Sequence, residues 1–559
     1  MFKIKLFLIV WFCILSINYP LVVGCGKVLP VHSDQNSSIE VVNDSLALPY
    51  TNAVKPVTPA SSTVTVYPTT TIAKISPLLF GTNANTFSGQ MVNERPLIDH
   101  IRALDPGLIR YPGGNISSMY FWNTSKWFPP KDVPTEVFVS QHGEKSSEFW
   151  FGQNDEPWTL SLENYYKLLG LTRSDGMVTV NYGYARYGTS KNPVSTAAHM
   201  AANWVRYDKG RTKYWEVGNE SYGHWQPGWK IDVSLNKDKQ PAIMDGAIYG
   251  AHFKVFADSM RKAAAEIGIE IKIGAQLIAR PTVNNDNPAE PLWNKLLLST
   301  AGLNPDFFIV HSYFTPYGEN NNVDEILRSG IEEPGEIMKY VKRSIADAKV
   351  SEKPVALTEW NIFSEGSKQK VSHIAGVHAV IVLAELIKAN FSIAARWGLL
   401  GKYTHGDDFG TISIGDEPDN AAKWNPRPIF YYLYYFKRLF GDVAIATKNQ
   451  GNAGIISYAS RSGASAVSIV LINTSEKEQT VAIEFSGKEA YKYYYSYTLA
   501  GEQHEKFSRK VFINGAGPKL RSGGPLNFKT LPAFRTEAKG GTKVKVPKHG
   551  VVFLVNKNT

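Results

Sequence analysis

Cysteine is nearly absent from this 559-residue chain, which carries two, Cys13 and Cys25. No disulfide can form beyond Cys25, so the folded part must be held by an apolar core. With 43% hydrophobic and 20% charged residues, the composition supplies one. Other absences narrow the chemistry. His199, His224, His252 and His311 show no H-E-x-x-H or comparable spacing, so no metal is expected. No G-x-S-x-G elbow is present for a serine nucleophile. No Gly-rich phosphate loop follows the first strand-like run, which argues against a doubly wound dinucleotide fold and leaves no cofactor expected. The formal net charge of +10 comes without a basic block or an arginine-rich helix, so it reads as a solvated basic surface and not as a nucleic-acid site.

The N-terminus, MFKIKLFLIVWFCILSINYPLVVGC, joins two lysines, an apolar run and small residues in the layout of an export signal. Residues 1–25 are expected to be that signal. Its end, Val-Val-Gly-Cys, resembles the bacterial lipobox, which implies lipidation at Cys25 and a chain anchored in the bacterial cell envelope; plain secretion to the periplasm or outside is the alternative. Residues 26–60, rich in Ser, Asn, Val and Pro without periodicity, read as a flexible tether.

Beyond the tether, β-rich runs alternate with amphipathic stretches. The runs are ISPLLFGTNAN, GLIRYPGGN, MVTVNYGY, KYWEVGNE, IKIGAQL, DFFIVHSY, PVALTEWN and SIAARWGLL. Helices are expected between them, including EEPGEIMKYVKRSIADA after the sixth run and PIFYYLYYFKRLF after the eighth. Eight such units predict an α/β fold, a (β/α)8 TIM barrel over residues 76–440. From 441 to 559 the pattern changes to alternating strands and turns, predicting a C-terminal antiparallel β-sandwich, to which the strand-like segment 61–75 is expected to add.

The C-terminal ends of barrel strands open onto one face. Here they carry Asn83, Arg110, Asn181, Asn219 with Glu220, Gln276, His311, Glu359 and Trp397, a polar set with an aromatic wall that suits a sugar. Glu220 and Glu359 end the fourth and seventh runs and can face one cavity. Hydrolysis of a glycosidic bond needs such a pair, one carboxylic acid to protonate the leaving oxygen and one carboxylate to attack carbon or activate water. Spacing alone does not say which is which. Glu216, four residues before Glu220 and on the same side of the strand, reads as structural and paired with Arg110. Trp204 sits at helical spacing and reads as packing, whereas Trp225 and Trp229, in the loop after Glu220, are candidates for a sugar platform.

YPGGN at 111–115, YWEVGNE at 214–220, HSY at 311–313 and LTEWN at 357–361 together resemble the retaining glycoside hydrolases of clan A, most nearly the α-L-arabinofuranosidases of family 51. The resemblance covers roughly residues 75–440. It implies that Glu220 is the general acid/base, that Glu359 is the nucleophile, and that Asn219 binds the hydroxyl next to the anomeric carbon. It further implies that His311 and Tyr313 line the site and orient the nucleophile, and that the turn ending in Asn115 lies at the rim. Arg110, Asn181, Trp225 and Trp397 complete the expected substrate-binding set, and the expected partner is an oligo- or polysaccharide of plant or algal origin. The block E-V-G-N-E and the long HSYFTPYGENN depart from the family pattern, so an endo-acting β-glycanase or a uronate-cleaving relative uses the same pair equally well. A surface lipoprotein that binds glycan without turnover is the rival from another class. The long loops after Glu220 and Tyr313 point toward a closed pocket and exo action.

Overall fold

Eight parallel strands close into a barrel: Gly81–Asn83, Leu108–Tyr111, Asp175–Val180, Tyr214–Val217, Lys272–Gln276, Phe307–Tyr313, Val355–Asn361 and Ile393–Arg396, the last pairing back to the first. They coincide with the eight runs expected from sequence. The computed structural model describes residues 48–557 apart from 126–127, 282–286, 404–407, 464–465, 488–490 and 520–521. The expected export signal, Cys25 and most of the expected tether lie outside the described residues. Among the described residues, no helix is long and apolar enough to cross a membrane.

Helices follow the strands at Arg95–Leu104, Leu162–Thr172, Pro193–Asp208, Gly246–Glu266, Trp293–Ala301, Val323–Asp347, His373–Lys388 and Pro428–Leu439. Several start on side-chain caps, with Ser161 accepting from the Asn164 amide and Asp245 from the Ile248 amide. The sixth of these helices corrects the sequence reading, which began it at the Glu-Glu-Pro-Gly stretch. It starts nine residues earlier, on an Asn322/Glu325 capping box, and runs through Pro334. Pro334 is buried on the helix's inner face, and tertiary packing outweighs the lost backbone bond.

The barrel interior is built in layers by strand alternation. Leu108, Met177, Phe307, Ile309, Ala356, Ile393 and Ala395 form an apolar plug. Two residues further along their strands, Leu108, Met177, Ile309 and Ala356 give way to Arg110, Thr179, His311 and Thr358. The polar layer therefore lies one step above the apolar one, toward the C-terminal mouth.

The C-terminal region forms the expected largely antiparallel β-sandwich, as one connected, eleven-stranded sheet that the segment preceding the barrel joins. Strands from both halves of the sheet enclose a common core of Val64, Val66, Ile469, Leu471, Val481, Val546 and Leu554, so the sheet curls on itself to make the sandwich. Two of its pairings are parallel, both made by strands that precede the barrel. Ser62–Lys74 lies antiparallel to Val443–Gly451 and parallel to Gln479–Phe485. Tyr50–Asn52 lies parallel to Ala533–Glu537. A tether extending to residue 60 is thereby corrected: Tyr50 pairs in register with Ala533, and Arg535 covers the Tyr50 ring at 3.9 Å.

Candidate active site

Arg110 is the hub of the barrel mouth. Its side chain is fully buried, and its guanidinium donates from Nε to Glu216 Oε2 at 2.6 Å, from Nη1 to Glu359 Oε1 at 2.8 Å and Asn83 Oδ1 at 3.0 Å, and from Nη2 to Asn219 Oδ1 at 2.8 Å. A buried cation is tolerated only when paired in this way. Glu216 faces the barrel interior, fully buried, and also accepts from Thr179 Oγ1 at 2.8 Å. Four of the five N–H donors of Arg110, a member of the expected substrate-binding set, go to carboxylates and amides, which it holds in place.

Alternation alone would turn Glu359 away from the interior, since Ala356 and Thr358 already face it. The register with the neighbouring strands shifts here. Val310 pairs with Leu357 but His311 pairs with Glu359, so Thr358 is an inserted residue, a β-bulge. The bulge brings two consecutive side chains inward. Thr358 Oγ1 meets His311 Nε2 at 3.0 Å, while Glu359 accepts from Arg110 at one oxygen and from Tyr313 Oη, at 3.1 Å, at the other.

Glu220 is positioned by the turn after the fourth strand. Gly218 has φ +76° and Glu220 itself φ +40°, a left-handed conformation that costs a non-glycine residue about 1–3 kcal/mol. Gln276 clamps this turn, accepting from the Ser221 amide at 2.9 Å and donating to the Gly218 carbonyl. The carboxylate is then held by His311 Nδ1 at 3.1 Å on Oε1 and by Trp225 Nε1 at 2.9 Å on Oε2. His311 Nδ1 lies 3.7 Å from Glu359. The imidazole lies nearer Glu220 but within ion-pair distance of both glutamates, and Tyr313 donates to Glu359 directly.

One oxygen each of Glu220 and Glu359 and a ring nitrogen of His311 all lie within 4.8 Å of one another. The same three atoms could ligate a cation, but Arg110 beside them already supplies a fixed positive charge. Burial pushes the Glu220 carboxyl up, yet the bonds from His311 and Trp225 and the nearby Arg110 charge overcome it and hold the group below its ordinary value. Burial likewise pushes His311 down, and the two glutamates overcome it and raise it. Burial and the Glu359 charge drive Tyr313 well up, so its phenol stays a hydrogen-bond donor. Glu216, Glu220 and Glu359 thus surround Arg110 and His311 in one buried network.

The other expected site residues divide. Asn219 is fully buried, with Oδ1 on Arg110 and Nδ2 without a partner among the described residues. Asn115 is exposed at the rim and accepts from Gln226 Nε2 at 2.5 Å. Trp397 packs so closely on Gly114 that a Cβ there would lie 2.6 Å from its ring. Asn181 is corrected from substrate binding to loop support: its Oδ1 accepts from the Tyr184 amide, and its Nδ2 donates to the Tyr120 carbonyl and Tyr187 Oη. Of the two loop tryptophans, Trp225 touches Glu220 and Trp229 is buried. Trp204 is buried and donates to Tyr166 Oη at 3.0 Å. Sequence reasoning missed Thr179, Thr358 and Gln226, because a lone threonine or glutamine carries no signal until its neighbour across the barrel is known. A cleft of about 490 Å³ opens beside His311 and Tyr313. A larger cavity of about 580 Å³ lies far from the carboxylate pair, in the curled sheet, where Glu476, Glu478 and Glu502 each pair with a lysine.

Residues 100–300 match the family model of the alpha-L-arabinofuranosidase 1 domain. An intracellular exo-alpha-(1->5)-L-arabinofuranosidase of Acetivibrio thermocellus is 24% identical over 296 residues, 49% of this chain and 50% of that protein. A protein of the same name from Bifidobacterium longum is 21% identical over 261 residues, 45% of this chain and 40% of the other. The chain thus spans about half the length of the curated relatives it matches. Among solved structures, the Thermotoga maritima alpha-L-arabinofuranosidase in complex with arabinose superposes with a TM-score of 0.61 at 17% identity, covering 89% of this chain and all of that one. A Paenibacillus polymyxa xyloglucanase of family 44 gives 0.55 at 13% identity, again over 89% of this chain and all of the other. In its barrel and in the blocks that build the mouth, the chain resembles the clan A glycoside hydrolases of family 51.

Proposed function

We propose that this protein is a retaining glycoside hydrolase, an α-L-arabinofuranosidase acting on plant or algal polysaccharide by double displacement. The observation that carries it is the carboxylate pair: Glu220 and Glu359 bring oxygens within 4.8 Å of each other in different hydrogen-bonding surroundings. Retaining enzymes hold their two carboxyl groups about 5–5.5 Å apart, whereas inverting ones need about 6.5–9.5 Å to admit a water. Glu359, fixed by Arg110 and Tyr313, is the nucleophile that attacks the anomeric carbon. Glu220, which shares a proton with His311, protonates the departing oxygen and then, as base, activates the water that releases the sugar. The free Nδ2 of Asn219 suits the hydroxyl next to the anomeric carbon, and Trp397 and Asn115 suit the walls of the sugar pocket. The names of the similar proteins support the arabinofuranoside as substrate.

Release of nitrophenol from the aryl α-L-arabinofuranoside tests the reading. Wild type should turn it over with the α product formed first by NMR, and Glu359→Ala should lose at least about 10⁴-fold in kcat. Undiminished turnover in that variant removes Glu359 from the chemistry, and a β product first makes the enzyme inverting. The likeness in fold to a xyloglucanase favours an endo-acting β-glycanase as the second reading; that enzyme would leave the aryl arabinofuranoside intact and cut a β-glycan internally. A glycan-binding lipoprotein would bind without cutting either.

The location belongs to the same proposal. The lysine-flanked apolar run ending in Val-Val-Gly-Cys supports export and lipid anchoring through Cys25. Labelling with a palmitate analogue that disappears in Cys25→Ser is the expected result; unlabelled protein released in soluble form would leave plain secretion.

A further inference from the structure

We propose that the loop after the sixth barrel strand forms a ledge for the leaving part of a polymeric substrate, a run of pyranose sugars, with Tyr317 as its outer platform. The inference rests on the reading of Glu220 as the acid. Tyr317 is 84% exposed. It is not isolated. Its ring stands edge-on to Phe363 at 5.1 Å, Phe363 stacks on Tyr313 at 4.2 Å with 13° between planes, and the Tyr313 hydroxyl reaches Glu359. Three rings in contact thus lead from the catalytic carboxylate out to solvent.

These rings line the cleft of about 490 Å³ together with Tyr222, His311 and Arg280. Tyr222 and His311 interact with Glu220 and Tyr313 with Glu359, so the cleft opens beside both carboxylates. Its contact with the acid, against which the departing oxygen must lie, fits it to the leaving group. Pyranose rings in a β-linked chain present flat C–H faces that stack on aromatic side chains, while their hydroxyls point sideways. The facing wall supplies polar groups for those hydroxyls. Arg280 is fixed by Ser312 Oγ at 2.8 Å and by Glu333 at 2.9 Å, which leaves further N–H donors of its guanidinium for the ligand.

The test is calorimetric binding of linear β-1,4-xylohexaose to the inactive Glu359→Gln protein, with and without Tyr317→Ala. Tyr317 contacts solvent and one ring edge, so its replacement leaves the fold intact. The expected result is an affinity lower by about tenfold in the double variant. Tyr317→Trp should restore or improve binding. Equal affinity with and without Tyr317, or no binding of the hexasaccharide at all, overturns the ledge. If wild type ignores the aryl arabinofuranoside while xylohexaose binding still falls in Tyr317→Ala, the ledge stands and the assignment of the released sugar falls.

Discussion

Between the two halves of the curled sheet lie Val64, Val66, Ile469, Leu471, Val481, Val546 and Leu554, a core without a charged group. At the same depth in the barrel, one step above its apolar plug, lie Arg110, Thr179, Glu216, His311 and Thr358, all buried. The chain can fill an interior with aliphatic side chains and does so in the sheet, so the polar layer of the barrel is not forced by composition. Buried charges stabilise poorly compared with apolar groups of the same volume. Where a fold keeps them converging on a cavity, the arrangement serves binding or chemistry, and the sheet serves to hold the body together.

If that division is right, variants in the two regions should separate stability from activity. Arg110→Met leaves Glu216 and Glu359 buried without their cation and should cost about 3–5 kcal/mol in urea unfolding, with activity lost as well. An unfolding free energy equal to wild type would show that the hub is dispensable. Leu471→Ala, in the sheet core, should cost about 2–5 kcal/mol while the folded fraction keeps its kcat/KM. A fall in kcat/KM there would tie the sheet to the chemistry.

Smaller effects probe the shared proton. The folded-state pKa of His311 is raised above its ordinary 6.5, so its contribution to stability is complete below that value and is lost as pH rises through the raised one. That of Glu220 is lowered below its ordinary 4.5, so its contribution is complete above 4.5 and is lost as pH falls through the lowered value. The stability difference between wild type and His311→Gln should therefore be largest between pH 4.5 and 6.5 and shrink on both sides. A difference independent of pH would mean that the two groups do not form an ion pair. Trp225→Phe removes one bond that holds the Glu220 carboxylate charged. Its pKa should rise and, because a general acid must be protonated, the alkaline limb of kcat/KM should move to higher pH. An unmoved limb would assign that limb to another group.

The barrel was readable because seven of its eight apolar runs lead into a polar residue and the helices between them repeat an apolar face, both local patterns. Glu220, Glu359, Asn219 and Tyr313 were readable for the same reason, as ends of runs. Asn181 shows the limit. It ends its run as Asn219 does, yet the loops that fold over it take both ends of its amide. The sandwich was readable from its alternating strands, but its two parallel pairings were not, because they join strands more than 400 residues apart, such as Val64 with Ile483. No window along the chain contains both.

What the sequence determined by itself was the count of βα units, the identity of the acids at the mouth and the aliphatic character of the sheet, all set by residue type and short-range periodicity. What only the tertiary structure decided was which way those acids point and what holds them. The bulge at Thr358 turns Glu359 inward, Arg110 commits its donors to carboxylates and amides, and His311 attends to Glu220. Register and pairing across a closed barrel are long-range properties. A one-residue shift between neighbouring strands reverses the direction of a side chain without changing a letter of the sequence.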